Sequence, residues 1–296
     1  MIWPGPEPQI VLHCQGPLPA VGPAADLCLT TRPDVPAPWV SVPDLLAAQA
    51  RVLRACAAQP VAAAVLLRLL RLTEAMAPEA ALEVESLAYS ALLGGAGFRE
   101  WLNLRGAVQA PAPPEDPVIF ARLGDAVTLT MADPASHNAM SARMRDALVA
   151  ALDTCLIDPT RPFVTLTGGA RVFCSGGALA EFGLARDLAA AHLLRRGQSV
   201  AGRLLALGDR AHAMVGGAAI GAGAEIAAAA SKVLARPGGW FQLPELAMGL
   251  IPGAGGTVSL PRRIGRHRAA WLMLTGQRIG AARALDWGLV DRMLAP

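Results

Sequence analysis

Apolar residues recur every three or four positions through residues 43–105, which is the spacing of amphipathic helices. Prolines and glycines punctuate this pattern where helices are expected to begin and end. The segment therefore predicts four helices, the first between Pro43 and Gln59 and the others over residues 61–76, 78–93 and 98–104.

From residue 118 onward, short apolar runs of strand length alternate with helical patterns. Two runs flank Gly124-Asp125, a favourable hairpin turn, and Ser141 is a suitable N-cap for the helix that follows. This alternation predicts an α/β fold with repeated ββα units. The predicted strands are 118–123, 126–131 and 163–167, and the predicted helices are 142–156 and 187–207.

Two further segments are rich in proline. The first 42 residues hold two apolar strips, 10–14 and 27–30, which we predict to pair as a small β ribbon. The sequence VQAPAPPEDP predicts a semi-rigid linker. The chain thus divides into an N-terminal extension 1–42, a helical segment 43–107, a linker 108–117 and an α/β core 118–296.

Residues 211–260 are apolar and rich in glycine, and they carry only two carboxylates, Glu225 and Glu245. Apolar surroundings disfavour the charged form of a carboxyl group and so raise its pKa. Two such groups at one pocket can divide general-acid and general-base work. The elements predicted here are a strand over 213–220, a helix beginning at Glu225, a strand over 232–235 and a helix whose first turn holds Pro244 and Glu245.

Three other interpretations of this stretch are weaker. Residues 213–230 have the length of a membrane span, but Glu225 and four glycines in the run argue against one. Gly221-Ala222-Gly223 after a strand is a partial dinucleotide-binding pattern, but its candidate acid Glu245 follows a proline. A solvated position is the default for a lone glutamate, yet the neighbours of Glu225 are Ala, Gly and Ile.

Composition and charge narrow the class of protein. Hydrophobic residues make up 53% of the chain, enough for a sizeable core, and a net charge of +3 gives no case for nucleic-acid binding. The five cysteines lack CxxC spacing, which argues against a disulfide framework or a zinc site and favours a reducing cytoplasm. We interpret Cys174 as a packing residue. The first ten residues do not resemble a signal peptide.

Four motifs carry a family resemblance. They are HNAMSARM at 137–144, FCSGGAL at 173–179, GAGAEIAAAA at 221–230 and FQLPELAMGLIPGAGGTVSLPRRIG at 241–265. In this order and spacing they resemble the core of the crotonase (enoyl-CoA hydratase/isomerase) family. The resemblance implies a crotonase-like spiral of ββα units with an associated helical region.

The helical segment 43–107 is similar to the C-terminal helices of the same family, which normally follow a segment like residues 281–291. Because these helices come first here, the chain resembles a circularly permuted member of the family. Such a rearrangement is tolerated when the termini lie close together at the surface. An unrelated helical domain with a chance likeness is the alternative.

The family acts on acyl-CoA thioesters through a thioester enolate, so the resemblance implies an acyl-CoA substrate and an oxyanion hole. By motif position, the backbone amides of Gly177 and Ala222 would stabilise the enolate oxygen. Glu225 would orient and deprotonate a water molecule, and Glu245 would deliver a proton to Cα. No metal or redox cofactor is implied, since coenzyme A is part of the substrate.

Some positions depart from the family pattern. Ala178 stands where the family usually has an Asp that holds the first loop, and Ala222 stands where it usually has Gly. For the CoA phosphates, Arg68 lies only near the position of a family Lys, and Arg122 and Arg171 are other candidates. The substrate-binding and CoA-binding positions that the motifs imply are Ala139, Ser175, Gly176, Ala178, Gly221, Gly253 and Arg68.

Having both glutamates favours hydration of a 2-enoyl-CoA, since isomerases of the family usually manage with the glutamate matching Glu245. The alternatives are isomerisation of a 3-enoyl-CoA or another enolate reaction, and an acyl-CoA-binding protein without turnover, which Ala178 suggests. The resemblance also implies a homotrimer or a dimer of trimers.

Overall fold

The computed structural model describes residues 8–109, 111–112 and 114–295. Residues 110 and 113 of the expected linker, and residues 1–7 at the N-terminus, lie outside this description. The N-terminal strips do pair, but as parallel strands, and a third strand joins them. The two predicted strips thus belong to one small parallel sheet. It contains β1 Ile10–His13, β2 Leu27–Thr30 and β3 Val40–Ser41.

Four helices follow, as the apolar spacing predicts. Asp44 caps the first, because its carboxylate accepts a hydrogen bond from the Ala47 amide at 3.0 Å. Pro60 and Pro78 occupy the first positions of the second and third, where a missing N–H group costs no helical hydrogen bond. The helices are α1 Leu45–Ala58, α2 Pro60–Thr73, α3 Pro78–Leu93 and α4 Ala96–Arg105.

The rest of the chain alternates strands and helices. Ser141 caps α5 through a bond from the Met144 amide at 3.1 Å, as expected. The strands are β4 Val118–Leu123, β5 Ala126–Met131, β6 Phe163–Thr167, β7 Val172–Cys174, β8 Ala211–Val215, β9 Ala218–Ile220, β10 Lys232–Ala235, β11 Trp240–Gln242, β12 Ile279–Gly280 and β13 Arg292–Met293. The helices are α5 Ala142–Ile157, α6 Leu188–Gly197, α7 Val200–Leu207, α8 Ala222–Ala229, α9 Gly256–Ile264, α10 Arg266–Thr275 and α11 Ala281–Trp287.

These strands form two sheets. The larger has the order β13-β10-β8-β6-β5-β4, and β4 and β5 are the predicted antiparallel hairpin. The smaller has the order β12-β11-β9-β7. Because β7, β9 and β11 run parallel, their carboxyl ends meet at one edge of the smaller sheet. The loops that carry the predicted chemistry all leave from this edge.

Three predicted boundaries are wrong. The predicted strand 213–220 is two strands in different sheets, because the chain turns at Gly216-Gly217, where an added Cβ at Gly217 would lie 2.1 Å from the Arg171 carbonyl oxygen. The predicted helix 187–207 is two helices, because Ser199 accepts the Gly202 amide and caps α7. The helix expected at Pro244 is a short 3-10 helix, Glu245–Met248.

The helical segment and the α/β core share one hydrophobic core. Leu66, Leu70 and Phe98 from the helical segment are buried in the same cluster as Leu129 and Phe241 from the sheets. Helix α2 packs on α9 and α10, and α3 packs on α6 and α9. The apolar faces of α2 and α3 are thus directed at the core and at the loops between its strands.

None of the described helices is long and apolar enough to cross a membrane alone, although α1 and α2, bent by 111° where they meet, together have that length and composition. The stretch 213–230, which has the length of a span in the sequence, contains β8, β9 and α8 instead.

Candidate active site

Three loops meet at the carboxyl edge of the smaller sheet. One follows β7 and holds Gly176 and Gly177, one follows β9 at Gly221, and one follows β11 and leads to Glu245. Their packing is close, since a Cβ added at Gly176 would lie 3.2 Å from the Ile220 carbonyl oxygen. A Cβ added at Gly221, which has φ +48°, would lie 2.5 Å from the Glu245 carboxylate. Only glycine at 221 fits against this carboxylate.

These loops surround a cavity of about 280 Å³. The structure brings Gly177, Ala178, Ala222, Glu225 and Glu245 together in its wall, as the sequence predicts, and Gly253 with them. Helix α3 of the helical segment also forms part of the wall. The cavity therefore joins side chains from both halves of the chain.

The backbone of Gly177 presents its amide away from the neighbouring segment. Met140 and Gly177 form an isolated parallel bridge. In this bridge the Met140 amide donates to Gly176 O at 2.7 Å, and Met140 O accepts the Ala178 amide at 3.2 Å. The backbone N–H and C=O groups of Met140 thus both bond to this loop. In a parallel bridge of this kind, the N–H and C=O groups of Gly177 point away from Met140. The Gly177 amide is therefore available to a ligand.

Ala222 is the first residue of α8. The first amides of a helix have no acceptor within the helix, and they lie at the positive end of its dipole. Gly221, the preceding residue, uses its own amide for Gln242 O at 2.8 Å. The Ala222 amide therefore suits an oxygen that gains negative charge, and alanine provides it as well as glycine does.

Glu225 is almost fully buried, with 2% of its surface exposed. Its Oε2 atom accepts hydrogen bonds from the amides of Ala254 and Gly256, both at 2.7 Å. Burial and the nearby carboxylates Glu245 and Glu85 raise the pKa of Glu225 well above its usual value, and the two amide donors oppose that rise. One carboxylate oxygen is thus held by the backbone.

Glu245 begins the 3-10 helix after β11. Its Oε2 atom is inaccessible to solvent and has no hydrogen-bond partner among the described residues. Burial raises the pKa of Glu245 to about 8. A buried carboxyl oxygen without a partner is costly unless a ligand or water binds it, which is typical of a functional site.

The first loop is held despite the alanine at position 178. Asn138 donates from its side chain to Phe173 O at 3.1 Å, and the Ser175 amide donates to His137 O at 3.1 Å. Beyond the loop, the Glu181 carboxylate accepts the Ala142 amide at the start of α5. Backbone contacts and Glu181 therefore hold the loop, without a carboxylate at position 178.

Several predicted binding residues do not line the cavity. Ser175 donates to Ser136 O at 3.1 Å, and the Ala139 amide donates to the Ser136 hydroxyl, so both brace the loop. Gly176 and Gly221 allow the loops to approach each other. Arg68 is exposed on α2, Arg122 pairs with Asp158 and Arg171 is exposed. The cavity wall in the described part of the chain does not include Ala139, Ser175, Gly176, Gly221, Arg68, Arg122 or Arg171.

Cys174 lies next to the cavity but is a packing residue, as interpreted from the sequence. It is fully buried, and burial raises the pKa of its thiol to about 12. A thiol that stays protonated is a poor nucleophile.

The sequence analysis did not predict several side chains that line the cavity. Glu85 and Tyr89 come from α3, and Arg195 comes from α6, where it lies over the Tyr89 ring at 4.6 Å. Arg195 therefore contributes to the cavity wall. His192, on the same helix, is buried and contacts Ser86 at 2.9 Å. The one available signal was a glutamate on the apolar side of a predicted helix.

The elevated pKa of Glu245 predicts a pH-dependent stability difference. A carboxyl group with a folded-state pKa near 8 and an ordinary value of 4.5 favours the folded state at low pH, and that contribution is lost as the pH rises through 8. We expect Glu245→Gln to be more stable than the wild type at pH 9 by on the order of 3 kcal/mol. The difference should vanish toward pH 4 in urea unfolding. Glu79→Gln, at an exposed position, is the control, and a pH-independent difference for Glu245→Gln contradicts the elevated pKa.

The chain is similar to known proteins over its α/β core. The family model described as enoyl-CoA hydratase/isomerase matches residues 124–296. The 2,3-dehydroadipyl-CoA hydratase of Escherichia coli is 37% identical over 174 residues, which are 59% of this chain and 68% of that protein.

Solved structures are similar over the same share of the chain. The enoyl-CoA hydratase from Bacillus anthracis has a TM-score of 0.55 and 27% identity, covering 60% of this chain and 70% of its own. The enoyl-CoA hydratase from Thermoplasma volcanium has a TM-score of 0.55 and 30% identity, covering 61% and 72%.

Proposed function

Since this chain belongs to the enoyl-CoA hydratase/isomerase family, we propose that it is an enoyl-CoA hydratase that adds water to a 2-enoyl-CoA and forms a 3-hydroxyacyl-CoA. One observation carries this proposal. Glu225, which is buried, and Glu245, whose Oε2 atom is buried, line the same cavity as Gly177 and Ala222, whose backbone amides suit a developing oxyanion.

The proposed reaction assigns a role to each group. Glu225 takes a proton from water while the water oxygen bonds to C3 of the enoyl thioester. The electron pair of the double bond moves to the thioester oxygen, where the amides of Gly177 and Ala222 stabilise the enolate. Glu245 then gives its proton to C2. The two carboxyl groups exchange protonation states, and proton exchange with solvent resets the site.

The environments of the two carboxyl groups support this division. Glu225 accepts two amide hydrogen bonds at the start of α9, and both the bonds and the helix dipole favour its charged form. Burial raises the pKa of both groups, but Glu245 Oε2 has no donor that opposes this rise, whereas two amides oppose it at Glu225. Within the pair, Glu225 is therefore the better base and Glu245 the better acid.

A hydration assay tests the proposal. The chain is incubated with 2-enoyl-CoA esters of increasing length, beginning with crotonyl-CoA, and with the matching 3-enoyl-CoA esters. We expect loss of the conjugated enone absorbance with the 2-enoyl series, and 3-hydroxyacyl-CoA as the product identified by mass spectrometry. Turnover of the 3-enoyl series alone contradicts hydration and favours isomerisation, and binding without turnover favours a binding protein.

We extend the proposal to the organisation of the protein. The reaction moves only protons and water, so it needs no metal or redox cofactor, and coenzyme A arrives with the substrate. The family match begins after the helical segment 43–107, yet these helices pack on the core. Both observations support a circularly permuted arrangement. A homotrimer or a dimer of trimers in the cytoplasm, and a CoA contact by Arg68, are further proposals that rest on the resemblance.

A further inference from the structure

The helical segment contributes a further carboxylate to the cavity. Glu85 lies on α3 and has 2% of its surface exposed. Its Oε1 atom accepts the Gly255 amide at 2.7 Å. Its Oε2 atom accepts the Thr257 amide at 2.8 Å and the Thr257 hydroxyl at 2.6 Å. A glutamate buried this deeply and bonded this fully holds a defined geometry.

Glu85 and Glu225 share the start of one helix. Residues 254–257 span the start of α9, a helix of nine residues that begins at Gly256, and their four amides alternate between the two carboxylates. Glu225 Oε2 takes the amides of Ala254 and Gly256, and Glu85 takes those of Gly255 and Thr257. These are the amides that an α-helix leaves without an internal acceptor. Any shift of this loop therefore moves the donors that hold Glu225.

The loop has little room for adjustment. A Cβ added at Gly256 would lie 2.6 Å from Glu225 Cγ, and one added at Gly253 would lie 2.3 Å from the Tyr89 ring. Gly255 has φ +106°, a conformation that few other residues adopt. The loop is thus clamped between α3 on one side and Glu225 on the other.

We propose that Glu85 is a positioning residue, which fixes the loop 254–257 so that Glu225 Oε2 stays bound to the backbone while its other oxygen acts in the cavity. This inference rests on the proposed hydratase function. It makes the helical segment 43–107 part of the active site, because one of its side chains sets the orientation of the base.

Glu85 also acts on Glu225 through its charge. The groups that surround it are Arg195 from α6, Tyr89 from α3, Glu225 from α8 and Glu245. Burial raises the pKa of Glu85 to about 7, while Thr257, Gly255 and Arg195 oppose the rise. In its charged form Glu85 raises the pKa of both Glu225 and Glu245. Removal of this charge therefore lowers the pKa of Glu225.

The test compares Glu85→Gln with Glu79→Gln, an exposed position on the same helix. Glutamine at 85 keeps one acceptor oxygen, but its NH₂ group would face the amide of Gly255 or of Thr257, which is also a donor. The loop therefore loses at least one hydrogen bond to residue 85. We expect kcat on crotonyl-CoA to fall by about 10- to 100-fold, since displacements of about 1 Å have effects of this size. KM should stay within about 3-fold, because the loss is in the chemical step.

The pH profile separates positioning of the base from general loosening. The acidic limb of kcat/KM reports the group that must be deprotonated, here Glu225. In Glu85→Gln we expect this limb to move to lower pH, whereas simple loss of a helix cap lowers the rate without moving it. Circular dichroism checks that each variant is folded. If Glu85→Gln does not fold, Thr257→Val removes the hydroxyl donor alone and should give a smaller fall in kcat of about 3- to 10-fold.

Each outcome bears on the inference. A folded Glu85→Gln that has either the kcat or the pH limb of Glu79→Gln overturns it, and so does an unaltered Thr257→Val where that variant is the one measured. If the wild type hydrates no enoyl-CoA, the hydratase proposal fails separately, and hydrogen exchange at residues 254–257 then tests the loop. Faster exchange in Glu85→Gln than in Glu79→Gln supports the clamp, and equal exchange overturns it.

Discussion

Replacing Glu225 by glutamine is expected to reduce hydration of crotonyl-CoA by about 10³-fold, the size of effect typical for loss of a general base. The substitution is nearly isosteric. The glutamine oxygen can accept the Ala254 and Gly256 amides as Glu225 Oε2 does, so the loop before α9 should stay in place. The NH₂ group then faces the cavity, where it cannot take a proton from water.

The test measures kcat on crotonyl-CoA at constant pH for the purified wild type and Glu225→Gln. Glu79→Gln, which removes a carboxylate from an exposed site, is the control. Circular dichroism should give the same spectrum for all variants. Because Glu225 has a raised pKa in the folded protein, Glu225→Gln should also be at least as stable as the wild type above neutral pH. A variant that retains wild-type turnover would show that another group activates the water.

Gly223→Ala is expected to lower kcat/KM by about 100-fold through displacement of the two oxyanion amides. A Cβ at this position would lie 2.6 Å from the Cys174 carbonyl oxygen and 2.8 Å from the Cys174 side chain. Cys174 ends β7, which leads to Gly177, and Gly223 follows Ala222 at the start of α8. The added methyl group therefore pushes apart the two elements that carry the amides.

Gly197→Ala is the matched control, since nothing lies within 4 Å of an added Cβ there. For Gly223→Ala we expect the free energy of unfolding to fall by about 1–3 kcal/mol, the usual effect of overpacking. Gly197→Ala should leave both activity and stability close to the wild type. Full activity in a folded Gly223→Ala variant argues against stabilisation of the enolate by Gly177 and Ala222.

Local pattern was sufficient for most elements of the fold. The four helices of residues 43–105 begin and end close to the predicted positions, because Pro60, Pro78 and Gly94-Gly95 are strong local punctuation. The hairpin of β4 and β5 and the capped helix α5 follow for the same reason. Glu225 and Glu245 could be singled out because a carboxylate in an apolar, glycine-rich stretch is uncommon.

The local sequence pattern gave wrong predictions where contacts between distant residues determine the structure. The run 213–220 is uniformly apolar, so nothing local predicts that its two halves belong to different sheets. Gly216-Gly217 turns there because the Arg171 backbone passes close by, which is a tertiary fact. The pairing direction of β1 and β2 likewise depends on how the intervening chain returns, since either direction buries the same side chains.

Local composition and spacing thus determine where the helices lie and which two carboxylates are unusual, because both depend on neighbours within a few residues. Only the folded chain decides which amides face the cavity and which side chains complete it. Glu85 is separated from Gly255 by 170 residues, and in the sequence it is one glutamate of a helix. It becomes part of the site because α3 packs on α9. The first amides of α9 have no acceptor within the helix, and the Glu85 carboxylate accepts their hydrogen bonds there.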